Sequence, residues 1–245
     1  MSLLTGLGLN QVQKAWGSNF QVSPVQVSLS SKVSNQVLTV HNDSNEPLRF
    51  QLKTYAWSQD AKGEMQLAAT EDIVAFPGLF PLNPGEQRSV RVGTLVPVGA
   101  VEKTYRIFVE ELPPPKTPNK KNEIRVLTKL GIPIFLQPSQ QVIDGKIENI
   151  NISNSHLYFH LKNTGNTHFV AQKIRVKGLD GSGKSVFDQQ RNGWYILAGI
   201  SQPYALKIPT QECNKTQTLV LEVKTNNKVL TERSEMPKNA CTASK

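Results

Sequence analysis

From Phe20 onward, apolar side chains recur at every second position in short runs, the period of a β-strand with one buried face. Val25, Val27 and Leu29 alternate in this way. So do the runs Val37 to Val40, Phe50 to Tyr55, Val90 to Val92, Tyr105 to Val109 and Ile124 to Ile134. Turn-favouring residues separate them: Asn42-Asp43-Ser44-Asn45, Asp60 to Gly63, Asn83-Pro84-Gly85 and the proline cluster from Pro113 to Pro118. Helical spacing is nearly absent, and about seven such strands ahead of Gln137 predict an immunoglobulin-type sandwich. After the connector Gln137-Pro138-Ser139-Gln140 the pattern restarts, with Leu157 to Leu161, Phe169 to Val176, Tyr204 to Ile208 and Leu219 to Val223 as its strands. Asn163 to Asn166 and Gly178 to Gly183 supply its turns. The prediction is an all-β chain of two immunoglobulin-like β-sandwich domains, residues 20–137 and 138–245, preceded by an N-terminal extension or signal remnant over residues 1–19.

Composition narrows the function classes. With 38% hydrophobic and 19% charged residues over 245 positions, the chain has enough apolar surface to fold. Its longest strongly apolar stretches, such as Ile132 to Leu136, are strand-sized and far short of the roughly 20 residues that span a bilayer, so it is not membrane-embedded. A net charge of +9 raises the question of nucleic acid. The densest basic knot, Lys116 with Lys120 and Lys121, lies in a proline-rich loop with no recognition helix or aromatic platform beside it, which argues against nucleic acid. The two cysteines, Cys213 and Cys241, are too few for a structural zinc site. They read as a disulfide in an oxidising compartment, worth roughly 3–4 kcal/mol, or otherwise as two unpaired thiols. Met1 to Leu9 is mildly apolar without a basic start, and Ala15 to Ser18 is an imperfect cleavage site, so a truncated signal peptide stays an open reading.

Candidate chemistry is mostly refused. Gly178 to Ser185 (GLDGSGKS) fits the phosphate-binding pattern G-x-x-x-x-G-K-S. That loop cradles phosphate at the start of a helix, and the residues after Ser185 are too short and poorly periodic to form one, so a glycine-rich β-turn is expected and no nucleotide. His156 and His160 would share one face of a helix, but on a strand they point the same way about 13 Å apart, too far for one metal. With His41 and His168 they are expected on loops and strand surfaces. No catalytic set, metal or cofactor is indicated, and the chain is not expected to be an enzyme.

Three separated segments carry a resemblance: Phe80 to Val92 (FPLNPGEQRSVRV), Glu102 to Pro114 (EKTYRIFVEELPP) and Ile132 to Pro138 (IPIFLQP). With Phe20 to Leu29 (FQVSPVQVSL) and Leu161 to Asn166 (LKNTGN), in order and spacing, the chain resembles the periplasmic chaperones of the chaperone-usher pilus pathway over roughly residues 20 to 245. The resemblance implies an L-shaped pair of immunoglobulin-like domains, location in the periplasm, and two partners: pilin subunits and the outer-membrane usher. In that family a strand of the chaperone completes a subunit that lacks its last strand, by main-chain pairing with alternate side chains entering pockets. The donor strand would be Asn122 to Ile134, with Ile124, Val126, Thr128 and Leu130 on the donating face. Exposed donor edges also leave room for a self-capping homodimer.

Two positions depart from the closest-studied members. Pro133 stands where a lysine anchors the subunit's C-terminal carboxylate, and Gln137 replaces an arginine, which leaves Glu102 without its expected interdomain partner. Both departures look more like the archaic, Csu-like or spore-coat-like branch. A buried carboxylate still needs a cation, and the candidates are Arg106, Lys129, Arg91 and Lys32. A rival reading from another class is a secreted adhesive or carbohydrate-binding pair of sandwiches.

Overall fold

The computed structural model describes residues 16–17, 19–114 and 125–241. The first sandwich and its N-terminal approach run through β1 (Trp16–Gly17), β2 (Phe20–Ser23), β3 (Val27–Leu29), β4 (Asn35–Asn42), β5 (Leu48–Gln59) and β6 (Met65–Ala69). They continue with β7 (Ile73–Phe76), β8 (Leu79–Leu82), β9 (Gln87–Thr94), β10 (Lys103–Glu111), β11 (Arg125–Val126) and β12 (Lys129–Leu136). The second sandwich comprises β13 (Gly145–Ser153), β14 (His156–Asn163), β15 (Phe169–Leu179), β16 (Ser185–Arg191), β17 (Tyr195–Ile196), β18 (Ser201–Lys207), β19 (Thr218–Thr225) and β20 (Val229–Glu235). A short helix, α1 (Thr210–Cys213), precedes β19. No helix among the described residues is long and apolar enough to cross a membrane.

Alternation puts one face of each strand into a core. In the first sandwich one sheet runs β2-β4-β9-β7 and the other β3-β12-β10-β5-β6, with β8 also on β5. Leu38 and Val40, Val90 and Val92, Tyr105, Ile107 and Val109, and Ile132 and Ile134 meet between them. Each such side chain contributes roughly 1.5–3 kcal/mol when fully buried. Val25, predicted in phase with Val27 and Leu29, is exposed instead. It sits where the chain leaves β2 on one sheet for β3 on the other, so the alternation there spans a crossover and not one strand.

The second sandwich stacks β13-β14-β18 on β16-β15-β19-β20, with β17 on β15. Leu157, Phe159 and Leu161 pack against Ile174, Val176, Leu221 and Val223. A disulfide joins Cys213 to Cys241. The glycine-rich segment is a hairpin turn between β15 and β16: the Asp180 carboxylate accepts the Ser182 and Lys184 amides at 2.9 and 3.0 Å, and strand begins again at Ser185. Gly183, at φ +82°, occupies the left-handed region such a turn requires. His156 and His160 lie on β14, opposite Lys207 and Pro203 of β18.

Candidate functional site

β12 is paired along its whole length to β10, from Lys129 opposite Glu110 to Leu136 opposite Lys103. Its other edge meets β3, in parallel, only from Ile134 to Leu136. Between Lys129 and Pro133 that edge has no strand partner among the described residues. A free edge of this kind is a template for another chain. The side chains on this stretch change environment along one face: Ile134 and Ile132 are 0% and 1% exposed, whereas Leu130 is 36% and Val126 53% exposed. Thr128, half-buried, lies between them outside any strand. The aliphatic row therefore continues past the end of its own core. Ile124 lies outside the described residues.

The expected donor strand is not continuous. β11 and β12 are separated at Leu127 and Thr128, where the Thr128 amide donates to the Glu111 carboxylate at 3.1 Å. Leu127 is also exposed. Further up, β11 runs parallel to β1, with Trp16 opposite Arg125 and Gly17 opposite Val126.

The four candidate cations are not brought together. Lys129 pairs with Glu110 at 2.6 Å, beside Lys53, and lies over the Phe108 ring. The hydrogen bond from Lys129, together with Lys53 and against the effect of burial, holds the Glu110 carboxyl below its usual range. Arg91 is exposed on the other sheet, and Lys32 is exposed between β3 and β4.

Arg106 alone is buried, at 8% exposure, on the outward face of β10 directly across from Pro133. Its guanidinium lies 4.3 Å from the centre of the Trp57 ring and 5.7 Å from that of Trp194, which belongs to the second sandwich. Burial lowers its pKa, with Tyr195 opposing. Among the described residues neither its Nε nor the Trp57 Nε1 has a hydrogen-bond partner. Two buried donors with no acceptor, one of them on a cation, form a site whose unmet requirement is an anion.

Beside this site the sandwiches meet. Trp57, Phe135 and Leu197 form a shared apolar cluster with Tyr195 and Ile200. Gln59 bridges it, donating to the Tyr195 carbonyl at 2.8 Å and accepting the Leu197 amide at 2.9 Å. Glu102, which lacks the arginine that Gln137 replaces, has another interdomain partner. Its Oε1 accepts the His168 amide at 3.0 Å and lies 2.7 Å from His168 Nδ1, while the imidazole stacks on Phe135 at 3.7 Å. His168 is thus a junction residue and not a surface one. Sequence reasoning missed it because partner and carboxylate are 66 positions apart. The aromatic clamp on Arg106 had a visible signal, since Arg106 and Phe108 alternate out of phase with the core residues of β10, but its partners depend on strand register.

A second exposed feature lies on the other sheet. Val37, Arg91 and Phe76 are aligned across β4, β9 and β7, with Val74 adjoining, and all three apolar members are exposed.

Fold and edge together define a class: tandem immunoglobulin-like sandwiches in which one sandwich offers an unfinished strand edge beside a buried cation. Residues 19–141 match the family model described as the pili and flagellar-assembly chaperone, PapD N-terminal domain. The chain belongs to this family of pilus-assembly chaperones, which are not enzymes. No curated protein matches it by sequence. Among solved structures it is similar to the class 5 fimbriae chaperone CfaA, with 16% identity, a TM-score of 0.58, and 89% of this chain and 100% of that one covered. It is also similar to the CsuC–CsuE chaperone–tip adhesion subunit complex of archaic Csu pili from Acinetobacter baumannii, with 16% identity, TM-score 0.59, and 88% and 97% covered. A third is the Salmonella enterica SafA pilin complex with the SafB chaperone, with 14% identity, TM-score 0.57, and 90% and 98% covered. At these identities the likeness concerns the fold.

Proposed function

We propose that this chain is a periplasmic chaperone that caps incomplete pilin-type sandwiches by lending them β11 and β12, then delivers them to an outer-membrane usher. The observation that carries this reading is the aliphatic row that leaves its own core, from buried Ile132 to exposed Leu130 and Val126, beside a β12 edge left unpaired between Lys129 and Pro133 among the described residues. A guest strand laid on that edge gains main-chain hydrogen bonds, and its pockets take Leu130, Thr128 and Val126 in turn. Arg106 anchors the guest's C-terminal carboxylate: it takes over from the residue at Pro133, one strand across, and the Trp57 indole supplies a second donor. The exposed Val37, Val74 and Phe76 surface, on the sheet away from this edge, suits a second partner and is our candidate for the usher contact. The Cys213–Cys241 bond accords with an oxidising compartment.

The test is co-expression with the pilin-type subunits encoded beside it, followed by pull-down. Val126→Asp should leave the melting temperature unchanged, because Val126 is exposed, and should abolish recovery of the subunit. Recovery at the level of the unsubstituted chain would overturn the reading.

A further inference from the structure

The segment between β16 and β17 sets an indole beside the buried cation Arg106 and leaves that indole half uncovered. Gly193 is pressed onto β15: a Cβ there would stand 2.4 Å from the Ala171 carbonyl oxygen, too close for any side chain unless the backbone moves. The Ala171 amide donates to the Trp194 carbonyl at 3.0 Å. The next residue, Tyr195, opens β17 opposite Val170, and its carbonyl accepts the Gln59 side chain of the first sandwich at 2.8 Å. The Tyr195 ring lies edge-on to Trp57, 5.4 Å between centres. The backbone on both sides of Trp194 is thus tied to the second sandwich and to the junction, and the indole projects from a rigid base.

Trp194 is 48% exposed, although an indole is among the side chains that gain most from burial. Its ring meets Tyr195 edge-on at 5.4 Å and lies 5.7 Å from the Arg106 guanidinium. Trp57, the indole on the first sandwich, lies 4.3 Å from the same group and is buried. Arg106 therefore has an indole from each domain beside it, one already covered and one not. A carboxylate paired with an arginine in open water gains little and is screened by salt. The same pair walled by apolar rings is stronger and less sensitive to salt. Tryptophan and arginine that sit together in an interface, ringed by groups that keep water out, are where binding energy concentrates.

Resting on the proposed function, we infer that Trp194 is the second sandwich's contribution to the site that holds the guest's C-terminal carboxylate. When that carboxylate reaches Arg106, the guest's last residues cover the exposed part of the indole, and the ring shuts water out of the ion pair. The second sandwich lends no strand in this reading, yet it governs how tightly the guest's end is held.

Recovery of a co-expressed pilin-type subunit by Trp194→Ala, Trp194→Phe and Arg106→Met chains tests this, using the native subunit and one extended by two glycines, which carries its carboxylate past Arg106. Complexes are washed at about 0.05 M and about 0.5 M sodium chloride, where exposed charge pairs are screened to very different extents. Trp194→Ala should hold the native subunit nearly as well as the unsubstituted chain at the lower salt and about tenfold less well at the higher. Trp194→Phe keeps an aromatic wall and should restore most of the loss. The extended subunit should be held weakly by the unsubstituted chain and no worse by Trp194→Ala. Undiminished recovery by Trp194→Ala at both salts would overturn the inference. So would losses that ignore salt, or equal losses with native and extended subunits, since either makes Trp194 a packing residue. If the unsubstituted chain recovers no subunit, or Arg106→Met holds it equally well, the reading beneath fails and takes this inference with it. Loss with Arg106→Met and none with Trp194→Ala sinks the inference alone.

Discussion

The two sandwiches share a corner and differ at an edge. Asn42, at the end of β4, is fully buried; its amide donates to the Glu46 and Leu82 carbonyls and its oxygen accepts the Ser44 amide. Asn163, at the end of β14, does the same with the Thr167 and Ile196 carbonyls and the Gly165 amide. One asparagine thus closes the turn after an equivalent strand in each domain. The edges diverge. In the second sandwich the outer strand β20 is paired throughout to β19 and carries Glu232, Arg233 and Glu235, charges of the kind that discourage added strands. In the first, the free stretch of β12 and its approach carry aliphatic residues, with Arg125 and Lys129 as the charges among the described residues. Two copies of one architecture can therefore be kept apart in role by how an edge is dressed, with the core chemistry unchanged.

The shared corner is the place to break both domains alike. Asn42→Ala and Asn163→Ala each remove a buried side chain's three hydrogen bonds to the backbone and should cost about 2–4 kcal/mol of unfolding free energy, measured by denaturant titration. Equal losses would mark the corner as common structure; a loss at only one would mean that the two turns are not equivalent. Arg106→Met separates site from scaffold. Replacing an unpaired, desolvated cation by an apolar side chain should leave stability unchanged or slightly higher. Subunit recovery should fall about 10–100-fold, as expected for lost charge-assisted bonds. The smallest effect is acid sensitivity at the donor edge. The Glu110 carboxyl sits below its usual 4.5, so its pairing with Lys129 and Lys53 contributes fully above that pH and is lost as pH falls through the lowered value. Glu110→Gln should remove a pH-dependent increment of at most about 1 kcal/mol, read from melting curves between pH 5 and about 3.

Much of the fold was legible in the chain. Tyr105, Ile107 and Val109 alternate into the core as their spacing says, and the cysteines pair. What local pattern could not carry was register between strands distant in sequence. Arg106 faces Pro133, and Glu102 meets His168, only because β10 lies against β12 and the second sandwich docks beside it. Val25 misled for a related reason: alternation shows that residues share a face of a strand, not that the strand stays in one sheet. The donor row, read as one uninterrupted strand, is broken at Thr128 by a carboxylate from a neighbouring strand, which no count along the donor itself could reveal.

Hydrogen exchange on the chain alone and on its co-purified complex with a pilin-type subunit compares the two edges directly. The amides of Lys129 and Gly131, which alternate away from β10 in the β10–β12 ladder, should exchange readily in the free chain and become protected in the complex, while β20 is unaffected. Protection of those two amides already complete in the free chain, or no change on subunit capture, would contradict the account.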